Sequence, residues 1–365
     1  MNIKCHRLDF SEALQEILSV IPSSSMIPML NNVHVEIHNN QMTLQATDME
    51  ISLIEKLPCE SESDVVVAIP AKLLADLVKS MKEEDLQFEL EELKLSLHGE
   101  KNRFFINCYD PAEFPALTQV NGNQYHIKSQ DFISLFQKVI PAVSPKGEGN
   151  IAFSSVLIET IANELRLVTT DGQRLIVAKY WETADLSSLK ILVPPKALNV
   201  IHKISQKQPG EIVFTVSDRE VSFAIGNKLL ISRRIEGAFP DYTRVIPTSH
   251  SYQILADKSE LKAALGRVYL MVKDNSKKIN LKVSNQTMNI LGNEQEIGSG
   301  EETVAVESQG GEFELMLDAK KLMDGIDGVE GDKVALESNG TMHPLIIKEV
   351  DSEKYTYVLV SLRPK

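Results

Sequence analysis

Short runs of alternating apolar and polar residues give way to helical spacing again and again along this chain. Val33, Val35 and Ile37, then Met42, Leu44 and Ala46, fall at every second position. So do Leu86, Phe88 and Leu90, and Leu93, Leu95 and Leu97. Period two predicts strands with one buried face. Elsewhere the apolar residues stand three and four apart, as at Phe10, Leu14, Ile17 and Leu18, which predicts an amphipathic helix.

The order of these elements repeats. An alternating strand, a hydroxyl or acidic start signal and a helix make up residues 2–21 (NIKCHRLDFSEALQEILSVI), 125–140 (YHIKSQDFISLFQKVI) and 252–272 (YQILADKSELKAALGRVYLMV). Their anchors Phe10, Phe132 and Leu261 lie 122 and 129 positions apart. A second helix follows another strand in VAIPAKLLADLVKSM, ILVPPKALNVIHKIS and ELMLDAKKLMDGI, with Lys72, Lys196 and Lys320 spaced by 124 and 124. Pro70 and Pro194 stand where a helix start tolerates proline, and Asp318 suits the corresponding cap. Thr47-Asp48, Thr170-Asp171 and Asn293-Glu294 keep spacings of 123 and 123. A period near 120 is far longer than the roughly 20–50 residues of a solenoid repeat, so each copy is a domain. The pattern predicts an α+β protein of three similar domains, each two helices on antiparallel sheet, over residues 1–122, 123–247 and 248–365.

Composition narrows the class. With 43% hydrophobic and 24% charged residues, each domain of the 365-residue chain can bury a core. Cys5, Cys59 and Cys108 form no C-x-x-C pair and are odd in number, which suits a reducing cytoplasm. Asp9, Glu12 and Glu16 interrupt any apolar run at the start, so no signal peptide is expected there, and no stretch is long and apolar enough for a membrane span. The expected location is cytoplasmic.

Motifs for chemistry are missing. The eight histidines include no H-E-x-x-H, and no cysteine–histidine cluster has zinc spacing. No phosphate-binding glycine loop or G-x-S-x-G elbow is present; Gly292, Gly298 and Gly300 are misplaced for one. Asp48 and Asp171 could act as paired carboxylates, as in a hydrolase, but each follows Thr at a strand end. There the two side chains more simply bond the backbone N–H groups of a turn. No enzyme activity, metal or cofactor is expected.

Two segments carry a family resemblance. TTDGQRL (169–175) and FPDYTRVIP (239–247) resemble the paired signatures of bacterial DNA sliding clamps, the β subunits of DNA polymerase III. IPML at 27–30, TDME at 47–50, EFPAL at 113–117, the IPAK and VPPK helix starts and the terminal YVLVSLR extend the resemblance from end to end. It implies the DNA clamp fold, a head-to-tail dimeric ring with helices lining the hole, and a processivity factor that encircles duplex DNA. The implied partners are double-stranded DNA, a replicative DNA polymerase, an ATP-driven clamp loader, and other polymerases and repair proteins that carry clamp-binding peptides. The readings left beside it are the hydrolase and an adaptor that never touches DNA.

The resemblance also implies sites. A partner-peptide pocket is expected from Thr170, Gly172, Gln173, Arg174 and Leu175, with Pro240, Arg244 and Val245. Val360, Ser361 and Leu362 would join them, as would Phe153, Met342 and Pro344. Apolar walls would bury peptide anchors while Arg and backbone groups fix orientation; ordinary core packing is the other reading of Leu175 and Val245. Gln173 and Ser361 stand where many clamps carry histidine or lysine and proline, and Pro364-Lys365 lengthen the tail. Ring closure would set Phe104 against Leu270 and Met271.

Net charge is −13, which opposes DNA binding unless the charge is segregated. Three helix windows, 70–82, 194–205 and 257–273, hold nine Lys or Arg against Asp76, Asp257 and Glu260. They total +6, leaving −19 on the rest. Lys72, Lys79, Lys196, Lys203, Lys262 and Arg267 are the residues expected to face DNA. The first helix departs from this pattern, carrying Asp9, Glu12 and Glu16 and no base.

Overall fold

The structure, a computed structural model, describes residues 2–22, 24–99, 101–144, 150–181 and 188–363. Among them are six α-helices: α1 (Arg7–Leu18), α2 (Ala71–Ser80), α3 (Ser129–Val139), α4 (Pro195–Lys207), α5 (Lys258–Val272) and α6 (Ala319–Asp327). Each third of the chain supplies two. Their starts follow the local chemistry. Asp257 and Asp318 accept the Glu260 and Lys321 N–H groups, satisfying donors that have no partner inside the helix. Pro70 caps α2, and Pro195 is the first residue of α4. The helix of the first third includes Arg7, correcting the expectation of no base, but that guanidinium is bonded to the Glu83 carbonyl.

The chain divides into two compact units, residues 1–133 with 196–234 and residues 134–195 with 235–365. In the first, a five-stranded sheet runs from Glu60–Ser61 through Asn2–His6, Asp85–Glu91 and Lys94–His98 to Arg103–Asn107. An eight-stranded sheet in the same unit has its strands bonded in the order Asn123–Lys128, Glu211–Val216, Glu220–Ile225, Lys228–Arg233, Ile51–Pro58, Gln41–Thr47, Asn32–His38, Val65–Pro70. Phe10, Leu14 and Ile17 of α1 and Leu74 and Val78 of α2 are almost fully buried, as their spacing requires.

The second unit holds a twelve-stranded antiparallel sheet. At its middle, Arg174–Trp181 pairs with Tyr355–Leu359 in the register Leu175↔Val358. In the first unit Ile51–Pro58 pairs with Lys228–Arg233 in the corresponding register, Ser52↔Ile231. Both sheets therefore continue across the boundaries near 122 and 247 that the sequence suggested. Pairing of this kind leaves fewer unbonded edges than separate sheets would. Gly325 brings α6 onto the second sheet, since a Cβ there would lie 2.6 Å from Ile347 and 2.9 Å from Tyr357.

Candidate functional site

The Thr-Asp markers are turn formers. In the second unit Thr170 Oγ1 accepts the Gly172 N–H, and Asp171 Oδ1 accepts those of Gln173 and Arg174 at 2.9 Å each. In the first unit Thr47 accepts from Met49, and Asp48 accepts from Glu50 and Ile51. Gly172 has φ 81° and Met49 takes φ 76° at the matching place. The third copy differs: Asn293-Glu294 closes the strand Thr287–Glu294, and Glu294 accepts from Ser276 instead.

Arg174 is tightly held in the second unit. Its side chain is only 11% exposed; Nε donates to Asp171 at 3.0 Å, and Nη1 to Asp324 at 2.7 Å and to the Tyr357 hydroxyl at 3.3 Å. Nη2 donates to the Pro141 carbonyl, and the Tyr357 hydroxyl in turn donates to the Lys321 carbonyl at 2.7 Å. Burial disfavours the charge, but the Tyr357 hydroxyl, Asp324 and Asp171 outweigh it and raise the pKa above its ordinary value. Four bonds engage a group with five N–H donors. Four of its donors are committed inside the fold, where they fasten the turn to α6.

Around that turn the structure gathers most of the expected pocket residues. The Phe153 ring lies 3.3 Å from where a Gly172 Cβ would stand, so the bare glycine keeps this side open. Val360 N donates to the Gln173 carbonyl at 3.0 Å, and Leu362 N to that of Met316 at 2.7 Å, which ties down the tail around Ser361. Pro344 precedes Leu345, whose partner across the sheet is Leu359. Leu175 is 5% exposed in an apolar cluster with Leu157, Val177, Phe239, Tyr242 and Val358, so its packing is that of a core residue. Thr170 is likewise buried and spends its hydroxyl on the Arg174 carbonyl. Of the other expected residues, Val245 (52% exposed), Met342 (52%) and Val360 (45%) are exposed, as are Pro240 and Arg244, with Arg244 paired to Asp241 at 2.8 Å. Pro364-Lys365 lie outside the described residues.

Sequence reasoning missed Phe239, Tyr242 and Val358, which pack with Leu175 in the same buried cluster. Tyr242 donates to Glu159, and Arg166 reaches its hydroxyl at 3.4 Å. Burial and the neighbouring Glu159 push the Tyr242 hydroxyl up to about 12, so it stays a neutral donor.

Sequence models of the three domains of the DNA polymerase III beta subunit match this chain in order: the N-terminal domain over residues 1–118, the central domain over 126–241 and the C-terminal domain over 243–363. The chain belongs to the DNA polymerase III beta subunit family. The beta sliding clamp of Staphylococcus epidermidis is 25% identical, covering 97% of both chains, and that of Pseudomonas aeruginosa 24%, covering 100% of both. Crystal structures of the Pseudomonas aeruginosa subunit and of the Bacillus subtilis DNA polymerase sliding clamp share the fold, with TM-scores of 0.94 and 0.96 at 24% and 21% identity, each covering the whole of both chains.

For a beta subunit the helix cations matter next, and half of those expected to face DNA have partners within the chain. Lys196 is paired with Asp48, Lys262 with Asp327 at 2.5 Å and Arg267 with Glu302 at 2.6 Å. Lys72, Lys79 and Lys203 are exposed and have no ion-pair partner among the described residues. The acids of α1 are not a free negative surface either. Glu16 is buried against Lys228, and Glu12 holds Lys207 at 3.0 Å. Counting charges along a helix overstated both signs, because opposite charges on adjoining elements had already met.

Leu270, in the last turn of α5, is 60% exposed, Met271 is partly so, and Ile297, just before the strand Gly298–Gln309, is 48% exposed. The strand Gly298–Gln309 pairs with Thr287–Glu294 along residues 298–305, but with Tyr252–Asp257 only from Val306 onward. Residues 298–305 thus have one edge without a strand partner among the described residues. Arg103–Asn107 is likewise the outermost strand of its sheet. There Phe104 is half-buried, while Phe105 is exposed beneath Lys94, 4.6 Å from its ring centre.

Proposed function

We propose that this sliding clamp closes head to tail with a second copy into a ring around duplex DNA and holds replication enzymes there. The observation that carries the ring is the repeated edge pairing. In each unit the last strand of one third, Lys228–Arg233 or Tyr355–Leu359, bonds to the strand after a Thr-Asp turn, Ile51–Pro58 or Arg174–Trp181. By the same repeat, Arg103–Asn107 ends the first third and Gly298–Gln309 follows the third marker, and each leaves an edge unpaired. A partner copy supplies both missing strands, with Phe104 meeting Leu270 and Met271. Such a dimer has no unpaired sheet edge at its joints.

The three free lysines on α2 and α4 then give sequence-independent phosphate contacts, which let a clamp slide because no base is read. The protein is cytoplasmic and performs no chemistry. A loader that hydrolyses ATP opens the ring, and the replicative polymerase, other polymerases and repair proteins dock by a short peptide on Val245, Met342, Pro344 and Val360 over the Leu175–Phe239 floor. Tethering holds a weakly bound polymerase at high effective concentration.

The test is topological. Protein loaded with a clamp loader and ATP onto a nicked circle is expected to stay bound until the circle is cut, and then to be lost from the unblocked ends. Retention unchanged by cutting would mean ordinary contact and would reject the ring. For the docking surface, Val245→Asp is expected to leave thermal stability unchanged and to weaken capture of a clamp-binding peptide at least tenfold. Leu175→Ala is expected to cost about 2–5 kcal/mol in stability, because it leaves a void in a buried cluster. Equal stability losses in both variants would place Val245 in the core.

A further inference from the structure

The joint between first-third and second-third strands in the first unit contains a charge cluster that clamp function does not use. Glu55 on Ile51–Pro58 and Lys228 on Lys228–Arg233 are direct cross-strand partners. Lys228 Nζ lies 3.6 Å from Glu55 Oε1 and 2.9 Å from Glu16 Oε2 of α1, and the three side chains are 8%, 3% and 7% exposed. Glu55 Oε2 has no hydrogen-bond partner, and Glu16 Oε2 faces Lys228 without the alignment of a hydrogen bond. At the rim, Lys207 of α4 bonds Glu16 Oε1 at 3.3 Å and Glu12 at 3.0 Å. These five groups are the charges that make up the cluster; Lys56 and Arg233, on the same two strands, are exposed and take no part in it. Three carboxylates and two ammonium groups leave one negative charge in excess, next to buried oxygens without donors.

An uncompensated buried carboxylate is costly, and taking up a proton removes the cost. The matching position in the next third shows another solution. Lys138 of α3, 122 positions beyond Glu16, lies 3.0 Å from buried Glu349 and 2.8 Å from Glu330, whose side chain is 62% exposed and so stays hydrated. Only one carboxylate is buried there.

We propose that the Glu16–Lys228–Glu55 cluster is a proton-linked lock on this joint: Glu55 binds a proton from solution and, once neutral, tightens the pairing of Ile51–Pro58 with Lys228–Arg233. A neutral Glu55 removes the excess charge and adds an O–H donor where buried acceptors lack one. Desolvation is the main cause that lifts Glu55 to about 7, with Glu16 and Glu12 adding to it and Lys228 opposing. The folded chain therefore holds a proton that the unfolded chain releases in the ordinary carboxylate range. Stability at the joint is fully present at low pH and is lost as pH rises through about 7. This inference does not depend on the ring.

Hydrogen exchange on the full chain tests it. Between pH 8 and pH 6, protection of the paired amides of 51–58 and 228–233, corrected for intrinsic exchange, is expected to rise roughly tenfold more than that of 174–181 and 355–359 in the second unit. Glu55→Gln is expected to keep the higher protection at both pH values. The same pH dependence in the variant and the unmodified chain would overturn the proposal. Should Glu55→Gln not fold, carboxyl carbon NMR of the unmodified chain decides: a glutamate titrating near neutrality is expected, and titration of every glutamate in the ordinary range would reject the lock.

Discussion

Replacing Arg174 by Met is expected to lower the stability of the second unit by about 3–5 kcal/mol, the usual result of removing one partner of a buried ion pair. The reason is what stays behind. Asp171 and Asp324, with side chains 16% and 15% exposed, lose the guanidinium between them and keep only Lys321 at 3.8 Å and Lys320 at 2.7 Å, while the Tyr357 hydroxyl and the Pro141 carbonyl lose a donor. At roughly 2–4 °C per kcal/mol for a unit of this size, the thermal midpoint should fall by about 6–20 °C. Arg174→Lys should recover little, because an ammonium cannot span two carboxylates, a phenol and a carbonyl in a plane. Calorimetry of the intact chain checks both variants. A peptide-orienting Arg174 would give the opposite result, normal stability with lost peptide capture.

That distinction marks how far the sequence could be read. Periodicity and landmark spacing led to two helices per third and to the turn at Thr170-Asp171, which depend on residues near one another in the chain, whereas Val245 as a candidate anchor came from the family resemblance. Arg174 shows where this stops. It sits in a signature motif, but its role depends on Asp324, 150 positions away, and on Pro141, and no local pattern predicts either contact. Lys196 and Asp48 meet across 148 positions for the same reason, so a window of helix charge could not show that the lysine was already paired. Glu16 looked like acid on a helix surface until Lys228, from the second third, enclosed it. The repeat itself encoded more than its period. Ser52↔Ile231 and Leu175↔Val358 are one register used twice, and that recurrence turns three similar segments into a rule for how thirds join.

If the rule extends to a third joint, a Leu270→Asp, Met271→Asp double variant should sediment as a single chain at concentrations where the unmodified protein is a dimer. Leu270 is 60% exposed at the end of α5, while the two joints inside the chain bury their apolar residues; an exposed leucine beside a partnerless edge is surface that a second copy can cover. Asp at these positions would place carboxylates against the partner's Phe104 with no cation to balance them. A penalty of about 3 kcal/mol for each buried, unpaired charge site is the low end of what such groups cost. A head-to-tail dimer has two identical joints, so the penalty acts twice, and about 6 kcal/mol weakens association roughly 10⁴-fold. Leu8→Asp is the control: Leu8 is 58% exposed on α1, away from either edge strand in sequence, and the variant should remain dimeric. Circular dichroism should show unchanged helix content in both variants, since neither side chain is in a core. A double variant that stays dimeric would place the subunit contact elsewhere, and equal dissociation by Leu8→Asp would show sensitivity to surface charge in place of a joint at α5.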